Sequence, residues 1–397
     1  MPDKICHSPS LCTGCRACSG VCPKQCITMK QNGEGFFYPE IAQSECIQCH
    51  LCEKVCPVNH PPVSYQPLEG YAVRYHKESV LKDSTSGGSF TAIAEYVFSK
   101  DGIVYGVGYD KNMKVTHFSI DASQAKRIQE MRGSKYVQSD LGYCFREIEI
   151  YLKNGRYVCF SGTPCQVAGL RAFLRKEYDN LLTVDLVCHG VASPLVFREY
   201  IKYQKQKYHA DIKAVKFRNK TYGYHSGTMM IEFSNGKRYY GSARTDYMLK
   251  SYFRGACSRY SCYQCPYKGM QRYGDFTIFD SWHINELTGK ALEDDKGFTN
   301  IFVNTPKGQE VLKNLKSLQK YKADTEQMRR KDGKMIDHFP KMASCRPEFV
   351  YGVAKNGIKS QIASNLKVTI KDYTAERLKG ILYKTGVLHL VKKKLHR

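Results

Sequence analysis

The chain has 397 residues, 42% of them hydrophobic, and a formal net charge of +24. That length and apolar content leave room for two or three domains with a sizeable core and exclude a disordered or fibrous chain. The basic charge suits an acidic protein partner, an anionic small molecule, nucleic acid or an anionic membrane surface, and does not choose among them. No run approaches the roughly 20 uninterrupted apolar residues of a membrane-spanning helix, and the opening MPDKICHSPSLC lacks an apolar h-region, so a cytoplasmic location is expected. Eighteen cysteines there point to metal binding or catalysis rather than disulfides.

Ten of the cysteines fall in the first 56 residues and eight between Cys144 and Cys345, which separates a small metal-binding module from a large remainder. Within the module, Cys12, Cys15, Cys18 and Cys22-Pro23 spell C-x-x-C-x-x-C-x-x-x-C-P, and Cys46, Cys49, Cys52 and Cys56-Pro57 repeat it. Three cysteines at this spacing hold one cubane while the fourth reaches the other cluster. The pattern therefore assigns Cys12, Cys15, Cys18 and Cys56 to one 4Fe-4S cluster, and Cys46, Cys49, Cys52 and Cys22 to a second. Structural zinc, the alternative, takes two separated pairs rather than a tight triple followed by Cys-Pro. Cys6 and Cys26 stand outside the pattern and are expected to be spectators.

Pro57, Pro61, Pro62 and Pro67 then mark a linker, so the module is placed at residues 1–62 and a larger domain at 67–345. YAVRY (71–75) and GIVYGVGY (102–109) read as strands, and between them Phe90, Ile93, Ala94 and Val97 form one helical face. Further on, a strand at 157–160, the turn SGTPC, a helix with Val167, Leu170 and Leu174 on one face, and a strand at 181–187 make a βαβ unit with parallel strands. Cys165 and Cys188 follow the two strand ends, where open α/β sheets bind ligands. Asn235-Gly236 signals a hairpin. Residues 346–397 read as a basic helical tail ending in KKKLHR, either a solvated helix or a contact for a protein partner or a membrane surface.

STSGG (84–88), RGSKYVQS (132–139), SGTPCQVAGLR (161–171), VCHGVASP (187–194), FRNKTYGY (217–224), SCYQCPYK (261–268) and GDFTIFDSW (274–282) occur in this order behind the module. Together they resemble the family of coenzyme F-420 hydrogenase and dehydrogenase beta subunits, which includes plant hydroxymethyl-chlorophyll reductases and many bacterial relatives. The resemblance covers roughly residues 1–345. It implies an α+β ferredoxin-like domain with two 4Fe-4S clusters followed by a larger α/β flavin-binding domain, with FAD beside a third 4Fe-4S cluster.

Carried over by position, Cys165, Cys188, Cys262 and Cys265 are the implied ligands of that third cluster, with Cys257 as a fallback and a zinc knuckle as the alternative for the C-x-x-C pair. Cys144, Cys159 and Cys345 are expected as buried apolar thiols. Ser84, Thr85, Ser86, Gly87 and Gly88 become the flavin-phosphate candidates at a helix N-terminus, where a plain Ser/Thr cap is the alternative. Lys135 and Tyr136 are the candidates for contact near the isoalloxazine. Lys135 and His189 are the candidate catalytic groups, set against an exposed lysine and a structural histidine.

The expected activity passes single electrons between an external carrier and FAD through the clusters, with hydride exchange to an organic substrate. The carrier is a ferredoxin or reduced deazaflavin. The substrate is an anionic small molecule, for instance one tied to surface polysaccharide, and no nucleic-acid partner is expected. Two alternatives stand beside it, namely a deazaflavin F-420 oxidoreductase and a pure electron-transfer subunit of a larger complex.

Overall fold

A computed structural model describes residues 5–388. The KKKLHR end of the chain therefore lies outside the described residues.

The N-terminal module is built from two short helices, α1 (Ala17–Val21) and α2 (Leu51–Lys54), and one hairpin of β1 (Ile27–Gln31) and β2 (Phe37–Ile41), paired Ile27 to Ile41 through Gln31 to Phe37. Both cysteine runs use the same backbone device. Gly14 and Arg16 have φ of 69° and 66°, and the residues in matching places of the second run, Gln48 and His50, have φ of 54° and 57°. A left-handed residue in these places turns the chain sharply enough for three successive cysteines to face inward, at a cost of roughly 1–2 kcal/mol for each non-glycine.

The large domain rests on an eight-stranded mixed sheet. Its strands are β3 (Glu69–Tyr75), β4 (Ile103–Tyr109), β5 (Val115–Ile120), β6 (Val158–Gly162) and β7 (Leu181–Leu186), and, past a smaller sheet, β11 (Phe276–Ser281), β12 (Phe298–Val303) and β13 (Leu318–Ala323). The intervening β8 (Ile212–Asn219), β9 (Thr228–Phe233) and β10 (Arg238–Gly241) form a separate antiparallel sheet. The large sheet runs β13-β3-β12-β11-β7-β6-β4-β5. β4, β6, β7 and β11 are mutually parallel, and the outer strands are antiparallel.

The helices that matter for the site are α3 (Ser89–Phe98), α4 (Cys144–Lys153), α5 (Pro164–Leu174), α6 (Pro194–Tyr208), α7 (Tyr247–Phe253), α8 (Arg346–Asn365) and α9 (Ile370–Lys384). The βαβ unit expected from the hydrophobic pattern is present as β6-α5-β7. Thr163 and Gln166 close a reciprocal cap on α5 with Pro164 at its first position, the arrangement that satisfies otherwise orphaned amides. Val167, Leu170 and Leu174 are buried on the sheet.

The segment expected as a tail from residue 346 begins inside the core instead. Phe349, Val350, Val353, Ile358 and Ile362 of α8 are buried with α6, α7 and the small sheet. The boundary shifts because Arg346 is fully buried and ion-paired to Glu34 of the module, which no solvated tail residue would be. Only α9, with no buried residue and with Leu378 and Ile381 exposed, has the character of a surface helix. Among the described residues no helix is long and apolar enough to cross a membrane.

Candidate metal centres

Three cavities are each lined by at least four cysteines. An inner module cavity is lined by Cys12, Cys15, Cys18 and Cys56, together with Cys6 and Thr13. An outer one is lined by Cys22, Cys46, Cys49 and Cys52, together with Cys26 and Ile47. The third lies in the large domain, lined by Cys165, Cys188, Cys262 and Cys265 with Thr13, His189, Arg259 and Lys268. The eight module cysteines thus sort into two walls that interchange Cys22 and Cys56 between the runs.

Among the described residues no group of three His, Cys, Asp or Glu side chains converges closely enough for a single metal ion. Four cysteines around a shared cavity are a donor set that fits a 4Fe-4S cluster. Burial pushes the Cys15 and Cys262 thiols up to about 12, the direction that a bound cationic core would reverse. Cys6 and Cys26 are closer to the chemistry than spectators in sequence would be, since each sits in a cavity wall and Cys26 Sγ is 3.5 Å from Cys22 Sγ. Cys257, the fallback ligand, is fully buried in the apolar core against Ser251 and does not line the third cavity. Cys144 and Cys159 are buried, and Cys345 only half-buried.

The third wall is assembled by the sheet. Cys165 sits in the capped first turn of α5, with Thr163 Oγ1 3.1 Å from its Sγ, and Cys188 follows β7 directly. The loop bearing Cys262 and Cys265 is tied to β7 through Asp185, which accepts Arg272 at 2.8 Å and the amides of Tyr273 and Gly274. Lys268 Nζ donates to the carbonyls of Cys188 and Met335, both at 2.6 Å.

The module is fastened to the large domain by three arginines. Arg146 of α4 donates to the carbonyls of Gly20 and Cys22, and Arg346 to both carboxylate oxygens of Glu34. Arg259 donates to the carbonyl of Cys12 at 2.7 Å. The inner cavity is the one turned toward the large domain. A Cβ on Gly169 of α5 would stand 2.7 Å from Cys15 Cβ, whereas Cys49 of the outer set is exposed.

The expected flavin residues occupy a continuous run of contacts that leads back to the third cavity. Thr85 Oγ1 accepts the Ser134 amide at 2.9 Å. Lys135 is half-buried rather than exposed, its ammonium donating to the carbonyls of Glu130 and Arg132, and desolvation lowers it to about 7. The Tyr136 ring stacks on Tyr252 at 4.8 Å with Phe217 and Phe253 edge-on. Tyr252 and Phe253 in turn flank His189. Burial, then Lys268, lowers His189 to about 4, so it stands as a neutral imidazole near pH 7, and its Nε2 is buried with no hydrogen-bond partner among the described residues.

The STSGG hydroxyls do not cap α3. Ser84 ends the preceding helix and donates to Val80, Ser86 pairs with Thr299 at 2.8 Å, and Gly88, at φ 78°, is the cap residue itself. The capping alternative fails because the hydroxyls turn toward neighbouring elements. The hydroxyls of Ser84 and Ser86 are thereby spent, which leaves the first-turn amides of α3 behind Gly88 as the donors suited to a phosphate. Gly87 lies so close to β3 and β12 that a Cβ would meet Val73 O at 2.3 Å.

Two family models match the sequence: the C terminus of the coenzyme F420 hydrogenase/dehydrogenase beta subunit over residues 155–328, and a 4Fe-4S dicluster domain over residues 11–60. Residues 155–328 thus resemble that family of beta subunits, behind a stretch that matches a ferredoxin-type dicluster domain. A component of the F(420)H(2) dehydrogenase of Methanosarcina mazei is 25% identical over 217 residues, which cover 51% of this chain and 62% of that relative. The match thus spans less than two thirds of the relative's length. A chain of the F420-reducing NiFe hydrogenase complex from Methanosarcina barkeri matches in structure with TM-score 0.42 and 14% identity, over 76% of this chain and 92% of that one.

The residues near these sites that sequence reasoning missed are cations. Lys220 donates to the carbonyls of Leu81, Ser86 and Lys296 and so holds the STSGG segment. Arg218 pairs with Asp280 and lies over Trp282 at 4.6 Å. Both sit in motifs quoted above, so the signal was present, but only the fold shows which motif residue faces which. Arg259 lies in no quoted motif, three residues before Cys262.

Proposed function

We propose that the chain is an iron–sulfur flavoprotein oxidoreductase, with 4Fe-4S clusters held by the inner, outer and third cysteine sets and FAD beside the third. One observation carries the reading: three cavities, each lined by at least four cysteines, succeed one another from an exposed edge of the module to the end of β6 and β7. Bound in these places, the clusters supply one-electron transfer, and FAD supplies the exchange of single electrons for hydride with an organic substrate.

The chain's own residues do the rest. The exposed Cys49 edge of the outer set is where an external carrier reaches the molecule. Asp185, Arg272 and Lys268 fix the loop around the third set. The α3 amides behind Gly88 bind the flavin phosphates, with Lys220 holding the segment and Thr85 joining it to Ser134. Lys135 and Tyr136 form the wall beside the ring, and burial leaves the Lys135 ammonium near its neutral point, able to hold or release a proton close to pH 7. His189 acts in this setting as a neutral hydrogen-bonding group. An anionic substrate agrees with the net charge of +24. The name of the Methanosarcina mazei relative favours deazaflavin F420 over a polysaccharide-linked metabolite as that substrate.

Anaerobically purified protein should contain about twelve irons per chain and releasable FAD, and about eight irons would refute the third set. Reduced deazaflavin should bleach the flavin; no bleaching sinks the deazaflavin reading. A second reading, an electron-transfer subunit without flavin, is favoured by the internal engagement of the Ser84 and Ser86 hydroxyls. It predicts a full iron complement with no FAD.

A further inference from the structure

Four arginines are almost wholly enclosed in the large domain, and three of them are neutralised. Arg171 meets Glu177 and Asp275, Arg272 meets Asp185, and Arg346 meets Glu34. Arg259, only 1% exposed, has no carboxylate within ion-pair distance among the described residues. Burying a cation without a counter-charge is expensive, so what surrounds this guanidinium matters.

Apart from Gln138, every group its side chain meets belongs to the module. Nε donates to the Cys12 carbonyl at 2.7 Å, and one terminal nitrogen donates to the Phe37 carbonyl at 3.0 Å while lying 3.7 Å from Cys12 Sγ. The other terminal nitrogen donates to Gln138 Oε1 at 3.2 Å, and Gln138 Nε2 donates in turn to the Thr13 carbonyl at 2.9 Å. The plane lies over the Tyr38 ring at 4.1 Å. Arg259 and Thr13 also line the third cavity. The second arginine beside the inner set, Arg16, is neutralised by Asp140 at 2.6 Å. At the outer set the cation in the wall is Lys24, on the exposed surface.

We infer that Arg259 is the counter-charge of the inner cysteine set and positions it, raising the reduction potential of a cluster held by Cys12, Cys15, Cys18 and Cys56 above that at the outer set. Reduction adds a negative charge, and a fixed buried cation with an N–H directed at a ligand sulfur favours the reduced form. Water screens Lys24 and leaves the outer set without that help. The inner set, which faces the large domain, thereby becomes the place where an electron entering at the exposed edge comes to rest. This inference rests on the reading of the two module sets as 4Fe-4S sites.

The experiment is an anaerobic redox titration of the full chain followed by electron paramagnetic resonance, with the outer signal assigned by its alteration in Cys49→Ser. Arg259→Gln should shift the inner midpoint to more negative potential by at least about 59 mV, a tenfold change in the ratio of reduced to oxidised one-electron centre, and leave the outer midpoint in place. Gln138→Glu, which sets a carboxylate against the guanidinium without removing it, should shift the inner midpoint in the same direction. Arg346→Gln, which removes another module-facing arginine whose hydrogen bonds run to Glu34 and Ser258 and to no cysteine sulfur, should leave both midpoints unchanged. An unmoved inner midpoint in iron-loaded Arg259→Gln overturns the inference. So do equal shifts at both sets, an equal shift in Arg346→Gln, or failure of both Arg259→Gln and Gln138→Glu to hold iron. Wild-type protein without module iron refutes instead the reading beneath it.

Discussion

The module and the large domain reach the same end by opposite means. In the module, eight cysteines between residues 12 and 56 are folded into two walls by a repeated left-handed turn, and those walls contain module residues alone. In the large domain, four cysteines spread from 165 to 265 meet only because β6 and β7 lie side by side and Asp185 draws the C-x-x-C loop onto them. A set written into local spacing depends on short-range backbone geometry. A set assembled by a sheet inherits the stability of the whole domain.

The largest effect should come from striking the assembled set directly. Cys165→Ala or Cys262→Ala should lower iron from about twelve to about eight per chain while the module signals stay intact. Iron unchanged in both variants would break the comparison, because the third wall would then be only a cavity. Next in size is Arg272→Met, which leaves Asp185 as an uncompensated buried charge and should cost about 3–5 kcal/mol. Chelator challenge should then strip the third set first, and simultaneous loss of all three sets would show that the two regions do not differ in the way described.

Much of this was legible in the sequence, and the boundary follows the same division. The cysteine runs announce themselves because their ligands are neighbours along the chain, and β6-α5-β7 because periods of two and of 3.6 residues are local signals. The STSGG segment was found but misassigned in part. Its glycines matter through contacts with Thr299 and Val73, more than a hundred residues distant in the first case, and the cap falls to Gly88 rather than to a hydroxyl. The burial of α8 was not legible, because a basic segment near the chain end resembles a solvated helix until Arg346 is seen against Glu34. Arg259 was the least legible of all, since nothing in GACSRYSC marks which arginine will be enclosed without a partner.

A pH dependence sharpens the comparison further. Asp246, fully buried, accepts the α7 amide of Leu249 at 2.8 Å and the Tyr200 hydroxyl at 2.5 Å, and burial holds its carboxyl up at about 6. The folded chain therefore keeps this proton to higher pH than the unfolded chain does. Its contribution to stability is fully present below the ordinary carboxylate range and is lost as pH rises through about 6. The rise from the ordinary carboxylate value to about 6 corresponds to about 3 kcal/mol. Because α7 carries Tyr252 and Phe253 beside His189, apparent melting of the large domain should fall between pH 4 and 6 in the wild type relative to Asp246→Asn. Parallel curves for the two proteins would contradict this.

The smallest test addresses the seam itself. Gly169 lets α5 lie directly on Cys15, and an alanine there would bring its Cβ 2.7 Å from Cys15 Cβ and 3.0 Å from Cys15 Sγ. Overpacking of this kind costs about 1–3 kcal/mol, and it falls where the locally written set meets the sheet-assembled one. If the inner set is held by its own turn geometry, Gly169→Ala should keep its iron and spectrum but weaken the docking of the module, read as faster proteolysis between residues 57 and 67. If iron is lost from the inner set while the seam resists cleavage, the large domain completes that set, and the module would share the dependence on long-range structure that marks the third wall.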